Sequence, residues 1–143
     1  MHNWFQCKVK YERNAEDGSI AKVSESYLVD ALSFTEAEER INDEMKPYIS
    51  GDFLVSDIKR ARISELFEDE AGDKWYRSKV FFISLDEEKG VEKKTAATMF
   101  AQANTLKEAV ELIDKGMKTS LSDYEIASVT ETNVMDVFKY HKD

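Results

Sequence analysis

The chain of 143 residues contains one cysteine, one proline, two histidines and five glycines. Each scarcity removes a class of explanation. With Cys7 alone no intramolecular disulfide can form, and a single early thiol fits a reducing compartment. A nucleophilic thiol also needs a base, and no histidine stands ready to serve Cys7. His2 and His141 sit beside the termini, with no Cys, Asp or Glu at metal-ligand spacing, so no metal is expected. The glycines are scattered singly through turn-like stretches, so no phosphate-cradling loop forms and no cofactor is expected. No apolar run approaches a membrane span, and the opening Met1-His2-Asn3-Trp4 lacks the apolar segment of a signal peptide. The expected setting is cytoplasmic, away from membranes. Positive charge is also short: 20 Lys and Arg stand against 29 Asp and Glu, a formal net charge of -9. That balance weakens general nucleic-acid binding, which needs clustered cations, and favours a soluble, self-repelling protein.

What is present is a pattern written twice. Trp4-Phe5-Gln6-Cys7-Lys8-Val9 aligns with Trp75-Tyr76-Arg77-Ser78-Lys79-Val80 at an offset of 71. Ser33-Phe34-Thr35-Glu36-Ala37 aligns with Thr105-Leu106-Lys107-Glu108-Ala109 at 72, and Ile63 to Phe67 aligns with Val134 to Phe138 at 71. Three blocks in one order at nearly one offset indicate a duplication, with repeats at residues 1–71 and 72–143.

Each repeat reads alike. The first strand alternates, with Phe5, Cys7, Val9 and Tyr11 on one face and Trp4, Gln6, Lys8 and Lys10 on the other. Polar turns at Asn14 to Ser19 and Asp86 to Gly90 lead into second strands near Lys22 to Ala31 and Lys94 to Ala103. Ser33-x-x-Glu36 and Thr105-x-x-Glu108 are capping boxes opening helices. Their apolar stripes are Phe34, Ala37, Ile41, Met45 and Leu106, Ala109, Ile113, Met117. Pro47 stops the first helix near Lys46. The closing segments, Phe53 to Phe67 and Tyr124 to Tyr140, are too long for one straight strand and are expected to bend or split. The acidic link Glu68 to Asp73 reads as a turn rather than a tether. The fold class is therefore α+β: two tandem ββαβ-type repeats, mainly antiparallel sheet with one helix per repeat packed on it, related by a pseudo-twofold axis.

Two features point toward binding. The outer strand faces carry Trp4, Lys8 and Lys10 in one copy and Trp75, Arg77 and Lys79 in the other. Interleaved aromatic and basic side chains suit a protein partner or single-stranded nucleic acid. The second feature, Lys59-Arg60-Ala61-Arg62, is the densest cationic cluster and faces no basic residue in the aligned Thr130 to Asn133. A cluster present in one copy only marks a place where that copy specialised, suited to an anionic group. The same residues also fit a solvated strand face over packed tryptophans.

The run Tyr27-Leu28-Val29-Asp30-Ala31-Leu32-Ser33-Phe34-Thr35-Glu36-Ala37-Glu38, with the opening Trp4-Phe5-x-Cys7-Lys8-Val9, resembles a family of small uncharacterised proteins from gut anaerobes and their mobile elements. The family is a domain of unknown function, so the resemblance carries no catalytic residues with it. The expectation is a non-enzymatic binding or adaptor module with a protein partner, with homo-oligomers open. Single-stranded nucleic-acid binding through the Trp and basic face, and an enzyme with a carboxylate site between the repeats, stand as alternatives.

Overall fold

The computed structural model describes residues 3–140. Among them are two helices and eight strands in two mostly antiparallel sheets, an α+β architecture. Period-two alternation makes β1 (Trp4–Asn14), which pairs antiparallel with β2 (Ile20–Asp30), placing Phe5 opposite Val29 and Cys7 opposite Tyr27. On its other side β1 takes β3 (Phe53–Ala61), with Cys7 opposite Ile58 and a register shift at Lys8/Val9. The later hairpin repeats this plan. β5 (Lys74–Asp86) pairs with β6 (Val91–Ala103) and with β7 (Asp123–Glu131), and its register shift falls at the corresponding Lys79/Val80.

A helix covers one face of each sheet. α1 (Phe34–Met45) opens at Ser33, whose hydroxyl accepts from the Glu36 N–H at 3.1 Å. α2 (Leu106–Met117) opens at Thr105, which accepts from the Glu108 N–H at 3.1 Å. The returning carboxylates reach one residue further back than a capping box implies. Glu36 accepts from Leu32 N–H and Glu108 from Asn104 N–H, so each tethers the strand-to-helix corner. The buried stripes are shorter than the sequence suggests. Ala37, Ile41 and Met45 are buried, as are Ala109, Ile113 and Met117, but Phe34 and Leu106 are half exposed. They sit in the first turn, where Phe34 makes an edge contact with the Phe5 ring of β1, centroids 4.9 Å apart.

Two cores result. One unites Phe5, Cys7, Val9, Val29 and Ala31 with the α1 stripe, and the other unites Tyr76, Val80, Met99, Ala101 and Ala103 with the α2 stripe. Burying each isoleucine stabilises the fold by about 1.5–3 kcal/mol.

The long closing segments do split, and their two parts go to different sheets. β4 (Glu65–Phe67) runs parallel beside β6, and β8 (Val134–Phe138) runs parallel beside β2. The strand orders are β3-β1-β2-β8 and β4-β6-β5-β7. The sheet built on β1 is thus completed by the end of the chain, and the sheet built on β5 by the segment that precedes it. The chain forms two compact units: one of residues up to Arg62 joined by those from Asn133, and one of Ile63–Thr132. Specific contacts hold the transferred strands. In the first unit Arg40 of α1 donates to the carbonyls of Asp30 and Lys139, and its guanidinium lies over the Tyr140 ring at 5.3 Å. In the second unit the link before β5 is a turn fastened to β6. Asn104 accepts from Asp73 N–H and donates to the Ala71 carbonyl, while Gln102 accepts from Asp69 N–H and donates to the Gly72 carbonyl. Gly72 is required there, because a β carbon would sit 2.6 Å from the Ala103 backbone nitrogen.

Candidate functional site

Strand register in the first unit places an unusual group on the helix-facing side of the sheet. Val9 lies opposite Glu25, Cys7 opposite Tyr27, and Tyr11 opposite Val23. Two phenols and a carboxylate therefore stand where alternation calls for apolar side chains. Both phenols turn their protons to the carboxylate. Tyr11 donates to Glu25 Oε1, and Tyr27 donates to Oε2 through a longer contact of 3.4 Å. The hydrogen bond to Glu25, with some burial, raises the Tyr11 hydroxyl above its ordinary pKa. Burial followed by the Glu25 charge raises that of Tyr27. Each phenol stays a neutral donor at physiological pH. Tyr27 also stacks on Phe138 of β8, with centroids 5.7 Å apart.

These residues line a cavity of about 260 Å³ under the C-terminal end of α1, with Met45, Tyr48 and Ile49 on the helix side and Met135 and Asp136 on β8. Two larger depressions share its walls. One of about 560 Å³ includes Tyr11, Tyr48 and Ile49 with Arg13 and Ile20. The other, of about 720 Å³, includes Tyr11 with Lys10, Lys22, Phe53 and Leu54. Exposed apolar side chains rim the three: Ile20 at 65 %, Tyr48 at 76 %, Leu54 at 62 % and Met135 at 56 % exposure. Single exposed apolar residues are commonplace, but several around connected hollows mark a contact surface.

The second unit has no such group at the equivalent register. Phe82 lies opposite Tyr124 as Tyr11 lies opposite Phe53, Ala97 faces Val80 as Glu25 faces Val9, and Met99 faces Ser78 as Tyr27 faces Cys7. Its corresponding hydroxyl contact is different: Tyr124 donates to Asp114 of α2 at 3.0 Å.

Of the residues singled out from the sequence, Lys10 borders the 720 Å³ depression and the others lie elsewhere. Trp4 and Trp75 are each only 3 % exposed, so neither indole offers a ring to solvent. Lys8 and Lys10 are exposed on the outer face of β1, and Arg77 and Lys79 are exposed on that of β5. Lys79 and Lys94 both approach the ring of Phe81, at 5.2 and 5.9 Å, and Lys94 pairs with Glu125 at 3.1 Å. Strand pleating separates the cationic cluster. Lys59 shares the outer face with Gln6, whereas Arg60 stands opposite Phe5 and donates to Asn3 at 3.0 Å. Arg62 follows β3 and is exposed. Cys7 is fully buried, and burial with the nearby Asp57 charge pushes its thiol up to about 12, which removes it as a nucleophile.

Residues 3–140 match the family described as Domain of unknown function (DUF4494). The chain belongs to this family. The matched span takes in every strand and helix described in both units. No curated protein and no solved structure matches the chain. No helix among the described residues is long and apolar enough to cross a membrane, and no group of three or more His, Cys, Asp or Glu among them is placed to hold a metal ion.

Proposed function

We propose that the protein is a non-enzymatic binding module whose ligand surface is the Tyr11 end of the first unit. One observation carries the reading: three adjoining cavities converge on Tyr11 and are rimmed by exposed apolar side chains. The phenols there are neutral donors already engaged with Glu25, and a phenol in that state is a poor nucleophile. The two units share a scaffold, and only the first carries the Tyr11–Glu25–Tyr27 group. That division fits a duplicated protein in which one copy kept a structural role and the other acquired a ligand. The experiment is affinity capture from the native host with the wild-type chain and with the double variant Tyr48→Asp, Leu54→Asp. Both substitutions lie on exposed positions. The expected result is a partner retained by the wild type and lost by the variant at unchanged thermal stability. Equal retention by both would remove the cleft from the binding surface.

A second reading draws on the outer sheet faces. Lys8, Lys10 and Lys59 on one sheet, and Arg77 and Lys79 with Phe81 on the other, are positions for an anionic partner such as single-stranded nucleic acid, with the tryptophans as their packed base. Filter binding at low salt tests it, and no retention at micromolar protein ends it.

A further inference from the structure

The inference rests on the cleft being the binding surface and concerns what enters it. We propose that the 260 Å³ cavity walled by Tyr11, Tyr27, Tyr48 and Phe138, with the carboxylates of Glu25 and Asp136, binds an organic ammonium group.

Charge is the first argument. Two carboxylates line this cavity, and among the described residues no lysine, arginine or histidine does. Glu25 forms no ion pair among the described residues; its partners are two phenols. Among the described residues Asp136 accepts from the N–H of its own neighbour, Val137, at 2.8 Å. The cavity thus presents negative charge that the described residues leave without a counter-ion.

The walls give the second argument. A phenol donates one proton, and Tyr11 and Tyr27 both give theirs to Glu25. Those two walls then offer a visitor ring surface rather than donors. Aromatic faces attract cations through the ring quadrupole, most strongly where water is thinned out. Among the described residues an anion finds neither a donor from these two phenols nor a cation here. A metal ion would want three or more hard ligands, which are not assembled.

Size supplies the third. The volume, about 260 Å³, falls below the roughly 300–1,000 Å³ of pockets for drug-sized ligands, and the cavity shares Tyr11, Tyr48 and Ile49 with the neighbouring depression. A compact cationic head fits, with its substituent leading outward. The head belongs either to a small diffusible amine or to a lysine side chain of a partner.

The fourth is the comparison within the chain. At the same register the second unit has Phe82, Ala97 and Met99, all apolar and part of or packed against its core. The scaffold therefore does not demand a carboxylate between two phenols, and such a replacement of apolar packing carries a stability cost that function explains.

The test is a titration followed by amide chemical shifts, using choline, its neutral isostere 3,3-dimethyl-1-butanol, and an acetylated Gly-Lys-Gly amide. The expected result is saturable shifts at Tyr11, Glu25, Tyr27 and Asp136 with choline or the lysine peptide, and about tenfold weaker binding of the neutral isostere. The tighter of the two cations identifies the source of the ammonium group. Glu25→Gln keeps size and acceptor but loses charge, and is expected to weaken binding about tenfold. Asp136→Asn, on an exposed strand position, gives the same direction should the first variant fold poorly, and Glu111→Gln in the second unit leaves binding unchanged. If the isostere binds at these residues as tightly as choline, the ammonium assignment is overturned and the cleft reading survives. If neither cation shifts them while the Tyr48 and Leu54 variant still loses its captured partner, the assignment again fails alone.

Discussion

Gly116 of α2 and Phe67 of β4 fit each other closely: a β carbon on Gly116 would lie 2.3 Å from Phe67 Cε1. The glycine costs α2 helix propensity and in exchange lets the transferred strand lay its aromatic ring on the helix. Gly116→Ala gains about 1 kcal/mol of propensity but overpacks by about 1–3 kcal/mol, so a net loss of up to about 2 kcal/mol is expected in urea denaturation. In a Phe67→Ala background the same substitution should become neutral or stabilising. A loss of equal size in both backgrounds would mean that Phe67 is not the reason for the glycine.

Arg40 performs the corresponding task in the first unit, joining α1 to the carbonyl of Lys139 at 2.7 Å and to the ring of Tyr140. Arg40→Leu keeps an apolar stem and removes the clamp. Amide hydrogen exchange across Val134–Phe138 should accelerate about tenfold, as expected for losing roughly 1–1.5 kcal/mol of local stability. Protection of β5 and β6 should not change.

Cys7 and Ser78 occupy equivalent buried positions, and Ser78 donates to the Ser128 carbonyl at 2.9 Å. A serine at position 7 has an equivalent strand carbonyl within register, so Cys7→Ser is expected to cost no more than about 1 kcal/mol. The native thiol should resist iodoacetamide at pH 8 and react on unfolding.

The same thiol sets a pH dependence. Its folded pKa of about 12 lies above the ordinary 9.0. A raised folded value means that stability is intact below pH 9 and falls as pH climbs toward 12, because the unfolded chain releases a proton that the native chain keeps. The raised Tyr11 and Tyr27 hydroxyls act in the same direction above pH 10. The unfolding free energy from urea denaturation should drop between pH 9 and 10.5 by an amount on the order of 1–2 kcal/mol from the thiol. Cys7→Ser should remove the thiol's share, leaving the phenols' share above pH 10.

Local rules carried much of this fold into view. Alternation at Phe5, Cys7 and Val9, the caps at Ser33 and Thr105, and the overlong segments from Phe53 and Tyr124 are written in neighbouring residues, and each appears in the structure. Which sheet receives β4 or β8 is decided by distant contacts such as Arg40 with Lys139 and Phe67 with Gly116, which no local pattern contains. The tryptophans looked outward because they share a strand face with lysines. Alternation reveals which side a residue faces, but not what covers that side. The cleft was legible in one respect only. Aligning the halves sets Glu25 against Ala97 and Tyr27 against Met99, a polar intrusion on a core face with a weaker sequence signature than the run of charges at Lys59 to Arg62.

The central claim is that binding belongs to the Tyr11 end of the first unit and not to its counterpart. A photo-crosslinking residue placed at Tyr48, and separately at the aligned Ser120, tests it in the native host. The expected result is a discrete cross-linked product from position 48 that added choline or lysine peptide diminishes, with none from position 120. Equal products from both positions, or a product from 120 alone, would contradict the account.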